Sequence, residues 1–453
     1  MTQIPFWAHQ EQTIRKLDTT PILFDTSDPG TGKTRSHLES FRKIRKNGGG
    51  PALVLATKSI LKSAWGNDID RYFPSMTYSI ATAANRKKAF QIPADVYITN
   101  HDAVTWIVKN LSAEFIRKFS TLIVDESTAF KNSNAERSKA LRKIAGVIPN
   151  RRLLTGTPNP NSVLELWHQA FLLDRGERLG DSYWRYRSQV CTPTQVGPHA
   201  SHVEWKDKED IEPVVFGLLS DITIRHEFDK CISIPPNTQR TIEIELPPSL
   251  RIQYDDMLRH SRMLVDNDSV TASQAASLRN KLLQIASGAV YTGEESNYAI
   301  LDNQRTELIL DLVEERPHTL VAFQWRHQRD ALIEEAKKRK LAYAVIDGSI
   351  HGQARNDAVA NYQAGKLRVI FAHPQAAGHG LTLTKGVATI WASPTYNSEH
   401  YKQFFHRIYR AGQTSPTETI HIIAKNTIDE HVRQRRDAKL SAMQTLLDLM
   451  EAA

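Results

Sequence analysis

The chain has 453 residues, 40% of them hydrophobic and 24% charged, which predicts a globular protein large enough for two ordinary domains. No run approaches the roughly 18 apolar residues that a membrane span needs, and the N-terminus lacks the basic start and apolar stretch of a secretory signal. Cys191 and Cys231 are the only cysteines, which excludes a disulfide framework or thiolate zinc cluster and favours a reducing, cytoplasmic compartment.

The formal net charge is +8 and the isoelectric point is near 9.2. This balance favours a polyanionic partner such as nucleic acid, because Lys and Arg neutralise phosphates and release condensed counterions. A mildly basic enzyme without such a partner is equally compatible with the charge alone.

Two series of short apolar runs, each bounded by turn residues, are separated by helix-like stretches. Runs that are apolar on both faces are typical of parallel strands covered by helices on both sides. The pattern therefore predicts an α/β protein with two doubly wound lobes. The first series is 20–26, 52–57, 95–100, 121–126 and 152–157, and the second is 319–325, 342–348, 367–373, 387–393 and 419–425.

The region between the two series has a different texture, first irregular and rich in aromatic and basic residues, then helix-like. The predicted organisation has four parts. They are an N-terminal lobe over 1–173, an insertion or linker over 174–240, a helical lead-in over 241–300 and a C-terminal lobe over 301–453.

The stretch TSDPGTGKT at 26–34 follows a predicted strand and precedes a predicted helix, which is the context of a phosphate-binding loop. Gly30 and Gly32 give the backbone the freedom to wrap phosphates at a helix N-terminus. Lys33 would reach the β- and γ-phosphates, and the Thr34 hydroxyl would bind Mg²⁺. We therefore predict an ATP site that uses Mg²⁺.

A second nucleotide element is the acid pair Asp125 and Glu126 at the end of the buried run TLIVDE. Asp125 fits the carboxylate that holds Mg²⁺, and Glu126 fits the base that orients the attacking water. The turn TGTP at 155–158 offers hydroxyls and amides suited to sensing the γ-phosphate. Acid pairs are common at strand ends, so this pair indicates a nucleotide site only in combination with the GTGKT string upstream.

In the second lobe, HRIYRAGQ places Arg407 and Arg410 three residues apart, on one face of a helix. Two arginines aimed at a γ-phosphate would stabilise the charge of the transition state, as arginine fingers do. A solvated basic face is the alternative interpretation of this string taken alone.

Taken together, these segments resemble the superfamily-two helicase-like motor ATPases, and specifically their SWI/SNF-type branch. The resemblance covers roughly residues 6–172 and 222–445 in the family's order and spacing. The matching strings are FWAHQ, SDPGTGKT, LVLATKSILKSAW, VYITN, LIVDESTAFKN, LLTGTPNPNSVLELW, FQWRHQRDAL, VIDGS, AAGHGLTLT and SPTYNSEHYKQFFHRIYRAGQT.

The resemblance implies two RecA-like lobes with ATP in a cleft and nucleic acid crossing both lobes. It also implies residue roles, with Gln10 as the reader of adenine. The implied nucleotide-binding residues are Gln10, Asp28, Gly30, Thr31, Gly32, Lys33, Thr34 and Gly380. The implied nucleic-acid contacts are Lys58, Ser59, Thr99, Asn100, Lys131, Asn132, Gln324, Trp325, Gly378 and Thr382.

The chain departs from the branch at two positions. Thr128 stands where motif II usually has a histidine, and Thr57 where motif Ia usually has a proline. The first departure raises the question of how hydrolysis is coupled to motif III. Ser27, in contrast, is no departure, since motif I of this branch also lacks the first glycine. The size resembles that of small bacteriophage or bacterial members, which would place the chain in the host cytoplasm if it is virus-encoded.

We expect an ATP-dependent DNA helicase or translocase that works at forks or branched junctions, in replication, recombination or repair. Its expected partners are DNA and possible replication or recombination proteins, with no membrane, and the chain is expected to be monomeric. Residues 182–206 suggest two short strands around the turn VGPH that contact the duplex as a wedge; a surface excursion without such a role is equally compatible.

Three alternatives stay open. One is a duplex translocase that remodels protein–DNA complexes without separating strands. Another is an RNA helicase, although the spelling HRIYRAGQ is not the glycine-arginine-rich form that RNA members usually carry. The third is a nucleotide-gated scaffold that barely hydrolyses ATP, against which the complete set of nucleotide residues argues.

Overall fold

The computed structural model divides the chain into two units, Met1–Ser233 with Lys439–Ala453, and Ile234–Ala438. The description covers residues 4–158, 162–195, 203–266, 272–291, 297–350, 352–377 and 381–452. Each unit is built on its own parallel sheet.

The first unit alternates strands and helices along the chain. Its strands are β1 (Ile22–Asp25), β2 (Ala52–Ala56), β3 (Tyr78–Ala81), β4 (Val96–Asn100), β5 (Thr121–Asp125), β6 (Asn150–Leu154), β7 (Cys191–Gln195), β8 (Val203–Asp207) and β9 (Thr223–Ile224). Its helices are α1 (Ala8–Thr19), α2 (Lys33–Lys46), α3 (Asn67–Tyr72), α4 (Arg86–Ala89), α5 (Ala103–Asn110), α6 (Ala113–Arg117), α7 (Glu136–Ala145), α8 (Leu164–Asp174), α9 (Tyr183–Val190), α10 (Ile211–Leu219) and α11 (Phe228–Cys231).

Seven strands form the first sheet in the order β3-β4-β2-β5-β6-β1-β9, and every neighbouring pair is parallel. Both faces are covered, as the apolar runs predict. In β2, Leu53 and Leu55 pack into one core while Val54 and Ala56 pack into the other. The carboxyl ends of parallel strands meet at one edge of a sheet, so the loops after these strands come together there.

The second unit repeats this architecture. Its strands are β10 (Asn237–Ile244), β11 (Ala289–Tyr291), β12 (Tyr298–Ile300), β13 (Thr319–Ala322), β14 (Tyr343–Ile346), β15 (Val369–Ala372), β16 (Ala388–Trp391) and β17 (Thr417–Ala424). Its helices are α12 (Pro248–Asp266), α13 (Ala272–Ala286), α14 (Gln304–Glu314), α15 (Arg326–Lys338), α16 (Gly352–Gln363), α17 (Pro374–Ala377) and α18 (Ser398–Phe405). The last helix, α19 (Ile428–Ala452), begins in the second unit, and its residues from Lys439 onward belong to the first.

The second sheet has the order β10-β17-β16-β13-β15-β14, again with parallel pairs throughout. The predicted fold class is therefore confirmed: both sheets are parallel, flanked by helices and RecA-like. Every one of the ten apolar runs overlaps a strand. Strands β3, β9, β10, β11 and β12 were not predicted. In β3 half-buried and buried residues alternate, β10 consists of half-buried and exposed residues, and β9, β11 and β12 have only two or three residues each. The domain boundaries proposed above stay predictions.

Two short antiparallel pairs lie outside the main sheets. One pairs β11 with β12, and the other pairs β7 with β8. The β7–β8 pair occupies the segment for which two strands were expected; the turn at 196–199 lies outside the described residues.

Candidate nucleotide site and nucleic-acid surface

The phosphate loop connects the end of β1 to the start of α2. Gly32 precedes the helix in a left-handed conformation, with φ of +77°, and Gly30 has φ of +90°. A Cβ atom added to Gly32 would lie 2.3 Å from Nε2 of Gln10, so a larger residue here would strain the backbone and displace the Gln10 side chain. The loop therefore presents a helix N-terminus with small residues before it, which is a suitable cradle for phosphate.

Lys33 is the first residue of α2, and its ammonium turns back onto the loop. It donates to the carbonyl oxygens of Ser27 at 2.5 Å and Asp28 at 3.0 Å. The cationic group and the loop amides are thus assembled in one place, where an anionic ligand would be held.

A buried acid–base pair supports the loop from beneath. The Asp25 carboxylate accepts hydrogen bonds from the backbone N–H of Ser27 and from Nε2 of His37, each at 3.0 Å. Burial alone would raise the pKa of Asp25, but the His37 hydrogen bond and charge, the charge of Lys33 and the Ser27 hydrogen bond together hold it at about 2. The carboxylate is therefore a fixed negative charge near Lys33.

Strand β9 and the residues after it brace the other side of the loop. Strand β9 pairs with β1, and the backbone N–H of Thr26 donates to Ile224 O at 2.9 Å. Further along, the N–H of Asp28 donates to His226 O at 3.0 Å. The loop is thus hydrogen-bonded to a segment about 200 residues away in sequence.

Asp28 is central to this brace. Its carboxylate lies 3.4 Å from the guanidinium of buried Arg225 and accepts the N–H of Phe228 at 3.1 Å. Arg225 also donates to the Thr26 carbonyl at 2.9 Å. Asp28, predicted to bind nucleotide, therefore shapes the loop through Arg225, a residue that sequence analysis did not identify. The two-residue strand before Arg225 gives no periodic signal that would have indicated it.

The start of α1 lies against the same loop. The Gln10 amide accepts from the Trp7 N–H at 3.1 Å and donates to Gly32 O at 3.2 Å. Nε2–H of His9 donates a hydrogen bond to the carbonyl oxygen of Thr31 at 2.8 Å. The imidazole and the Trp7 indole stack at 5.5 Å between ring centroids. The predicted adenine reader thus lies next to the phosphate cradle and beside a partly exposed aromatic ring.

The acid pair ends β5, two strands away from β1 in the sheet. The Asp125 carboxylate accepts the indole N–H of buried Trp65 at 2.9 Å, and its backbone carbonyl accepts Nε2–H of His101 at 2.7 Å. Burial raises the pKa of Asp125, against the Trp65 hydrogen bond and the charge of Lys33. Burial also lowers the pKa of His101 to about 4, so its ring is neutral at pH 7. Neither Trp65 nor His101 was predicted to have a role at this site.

The turn after β6 completes the group of loops around the phosphate cradle. The N–H of Thr155 donates to Asp25 O at 3.0 Å, and the Thr155 hydroxyl accepts the N–H of Thr157 at 3.1 Å. A Cβ atom on Gly156 would lie 3.0 Å from Cδ of Pro29, so the turn packs closely against the phosphate loop. A change in the conformation of the phosphate loop would therefore shift this turn directly.

These residues fit a magnesium nucleotide. In the described part of the chain no three or more His, Cys, Asp or Glu side chains form a metal cage. Mg²⁺ needs no such cage when phosphates and waters supply most of its ligands. The Asp125 carboxylate and the half-buried Thr34 hydroxyl supply oxygen donors of the kind that Mg²⁺ prefers.

The predicted nucleic-acid contacts of the first unit follow β2 and β5 or, for Thr99 and Asn100, form the end of β4. Lys58 and Ser59 begin a short 3-10 helix after β2, and Asn100 accepts a hydrogen bond from Arg86 at 3.1 Å. Thr99 differs, because it is fully buried and its hydroxyl donates to Ala81 O at 2.6 Å. We therefore leave Thr99 out of the proposed surface, since it offers no group to a strand.

Lys131 and Asn132 follow the acid pair. The Lys131 ammonium lies 2.7 Å from the Glu165 carboxylate, and its side chain is 36% exposed. Asn132 is exposed, and its side-chain Oδ1 accepts a hydrogen bond from the N–H of Asn134 at 3.0 Å. Both side chains are accessible to a polyanion, although Lys131 would have to exchange its ion pair with Glu165 for one with a phosphate.

In the second unit, half-buried Gln324 and Trp325 lie between β13 and α15, where both backbone N–H groups are bound by the Gln328 amide oxygen. Thr382 is exposed. Gly378 and Gly380, predicted for nucleic acid and nucleotide respectively, lie outside the described residues.

Arg407 and Arg410 follow the end of α18 and lie in turns, so the prediction that they share one face of a helix is wrong, but they share an acceptor. Arg407 is buried and donates to Gln403 O at 2.7 Å and Leu381 O at 3.1 Å. Arg410 is half-buried and donates to Leu381 O at 2.9 Å. The two guanidinium groups therefore lie together beside Leu381, and Arg410 is the more accessible of them.

Comparison with known proteins agrees with this architecture. A profile of the SNF2-related domain matches residues 11–288, and one of the helicase conserved C-terminal domain matches residues 304–412.

Within the described residues, no helix combines the length and the apolar character needed to cross a bilayer.

Among similar proteins is putative protein p41 of Acyrthosiphon pisum secondary endosymbiont phage 1, 30% identical with 93% of each chain covered. Another is the human SWI/SNF-related matrix-associated actin-dependent regulator of chromatin subfamily A member 1, 26% identical over 92% of this chain and 41% of the relative. The chain thus spans about two fifths of that longer relative.

A solved structure, the Sulfolobus solfataricus SWI2/SNF2 ATPase core in complex with dsDNA, is 21% identical with a TM-score of 0.45. It covers 98% of this chain and 93% of the solved one. From the two profiles and the phage relative, the chain belongs to the SNF2-related family, the SWI/SNF-type branch of the superfamily-two helicases, and is an ATP-dependent, DNA-associated enzyme of that family.

Proposed function

We propose that the chain couples ATP hydrolysis to movement along DNA and acts at forks or branched junctions. The observation that carries this proposal is the arrangement of one sheet edge in the first unit. The phosphate loop and its bracing turn follow β1 and β6, the acid pair follows β5, and polar candidates for a DNA strand follow β2 or end β4. The residues proposed to contact nucleotide and a DNA strand thus lie at one edge of the first sheet.

On the nucleotide side, the loop amides and Lys33 bind the phosphates, and Gln10 contacts the adenine ring. Thr34 and Asp125 would hold Mg²⁺, which when bound supplies charge neutralisation at the β- and γ-phosphates. Glu126 orients the attacking water and accepts its proton. Arg407 and Arg410 act as fingers that stabilise transition-state charge.

On the DNA side, exposed and half-buried polar groups contact the strand backbone without reading sequence. The net charge of +8 and membership of the SNF2-related family both support a polyanionic partner. The proposed contacts in the described residues are Lys58, Ser59, Asn100, Lys131, Asn132, Gln324, Trp325 and Thr382.

The β7–β8 hairpin supports a role at forks rather than on intact duplex alone. At its base, the Asp207 carboxylate accepts the Ser162 hydroxyl at 2.6 Å and the Val163 N–H at 3.0 Å, just before α8. Next to it, the Arg187 guanidinium lies over the rings of Trp184 and Trp205, at 4.4 and 4.0 Å. Trp184 is 64% exposed, and exposed aromatic rings next to cations are suited to stacking on bases.

The second candidate is a translocase that moves on duplex DNA without separating its strands. It is favoured by the mixed charge of the insertion, where exposed Glu204, Glu209 and Asp210 accompany the basic residues and weaken its attraction for a displaced strand. An RNA helicase is the third.

Paired assays on one preparation separate these functions. We expect ATP-dependent displacement of a strand from forked DNA, and ATP hydrolysis stimulated more by duplex and forked DNA than by RNA. Displacement of a third strand from a triplex, without displacement from a fork, would instead establish duplex translocation. Greater stimulation by RNA would contradict a DNA motor.

A shortened hairpin tests the fork assignment. Thr192 pairs with Lys206, so residues 193–205 can be replaced by Asn-Gly, a pair that closes a two-residue hairpin turn. This change keeps the Asp207 anchor. We expect strand displacement to be lost while DNA-stimulated ATP hydrolysis persists; unchanged displacement would remove the hairpin from the mechanism.

A further inference from the structure

The backbone of Glu126 is held in an unusual conformation. Its φ is +54°, in the left-handed region that non-glycine residues rarely adopt. Such a conformation persists only when neighbouring structure determines it, and it is frequent at catalytic positions. The orientation of Glu126, the proposed base, therefore depends on the contacts that fix the neighbouring residues.

Ser127, the next residue, is completely buried and is held by a side chain from α8. Its hydroxyl donates to Oε1 of Gln169 at 2.7 Å, and Gln169 is also completely buried. Nε2 of the same amide donates to Pro158 O at 2.8 Å and to Glu165 O at 2.9 Å. One amide thus joins the residue after the acid pair to the last residue of the Thr-Gly-Thr-Pro turn.

Helix α8 makes two further contacts with the segment that follows Glu126. Nδ1 of buried His168 donates to Phe130 O at 2.6 Å, and Glu165 pairs with Lys131 at 2.7 Å. The helix therefore touches the chain after the acid pair at three places, the last of them a proposed DNA contact. It does so in a chain whose motif II has Thr128 in place of the usual histidine.

We propose that Gln169 is a positioning residue that fixes Glu126 in its left-handed conformation and couples it to the turn at 155–158. The proposal deepens the proposed function and rests on it. When the turn responds to the γ-phosphate, the Gln169 amide transmits the change to Ser127 and hence to Glu126. The Gln169 amide thus links motif II, which contains the acid pair, to motif III, which contains the turn at 155–158. The presence of Thr128 in place of the usual histidine had left this link in question.

The test measures kcat and KM for ATP with saturating duplex DNA in the full chain. Gln169→Leu removes the bridge at similar volume, and Ser127→Ala removes one end of it with a smaller perturbation. We expect each to lower kcat by about 10²-fold, the loss typical of a misplacement of about 1 Å, with KM nearly unchanged. A role limited to stability would not produce this split between kcat and KM.

The double variant identifies the pathway. If Ser127 and Gln169 act through one contact, the double variant loses no more than the single ones, whereas independent effects multiply. Asn237→Leu is the matched control, because the Asn237 amide also bridges two groups, Thr417 Oγ1 at 2.8 Å and Thr419 Oγ1 at 3.2 Å. It should leave kcat unchanged.

The outcomes separate the two proposals. A wild-type chain that does not hydrolyse ATP with DNA would overturn the proposed function itself. An active wild type with unchanged kcat in Ser127→Ala, or with multiplicative losses in the double variant, would overturn the role of Gln169 alone. If Gln169→Leu does not fold, Ser127→Ala alone still decides through its kcat.

Discussion

Replacing Arg410 with alanine is expected to lower the rate of ATP hydrolysis by about 10³–10⁵-fold, the usual contribution of an arginine finger. ATP affinity should change little, because a finger acts on charge that develops only in the transition state. Arg410 is the better test of the pair, since it is half-buried whereas Arg407 is buried and ties two backbone carbonyls together. Single-turnover hydrolysis, with ATP binding measured separately, checks this result.

Two further variants serve as comparisons for Arg410→Ala, one for the loss of a surface arginine and one for the loss of the buried arginine. Arg240→Ala removes an exposed arginine of the same unit that pairs with Glu418, a surface pair of little energetic value, and should leave turnover unchanged. Arg407→Ala should lower stability as well as activity, because the buried Arg407 guanidinium holds Gln403 O and Leu381 O together. Normal turnover in Arg410→Ala would contradict the assignment of a finger to this residue.

Glu126→Gln is expected to reduce kcat by about 10²–10⁴-fold, the contribution typical of a general base. The amide keeps the size of the carboxylate but cannot accept the proton of the attacking water. ATP binding and DNA binding should persist, and the variant should accumulate as an ATP-bound complex. Glu136→Gln changes an exposed carboxylate at the start of α7 and serves as the control. Equal loss of ATP affinity and kcat in Glu126→Gln would instead indicate a binding role.

Local patterns predicted most of the architecture. The apolar runs overlap the central strands because a parallel strand buried on both faces needs a continuous apolar sequence. The glycines of the phosphate loop were recognisable from the string GTGKT between a predicted strand and a predicted helix, and both have the positive φ that favours glycine.

Long-range contacts were not predictable in this way. Arg225 meets Asp28 across roughly 200 residues, and neither the two-residue strand before it nor its charge marks it as a brace of the phosphate loop. Gln169 lies in a helix whose sequence is largely apolar, and only the fold shows that its amide bridges Ser127 and Pro158. The polar residue Thr99 was predicted at a surface but is buried, because strand β4 extends through it.

The most direct measurement is the steady-state rate of ATP hydrolysis as duplex DNA is titrated into the chain. We predict a saturable increase in rate, and a shift of the titration to higher DNA concentrations as salt rises, since phosphate contacts release counterions. Lys33→Ala should show no hydrolysis at any DNA concentration, while Lys43→Ala, which alters an exposed ion pair of α2 with Asp18, should behave as wild type. A rate that DNA leaves unchanged, or full activity in Lys33→Ala, would contradict an ATP-driven DNA motor.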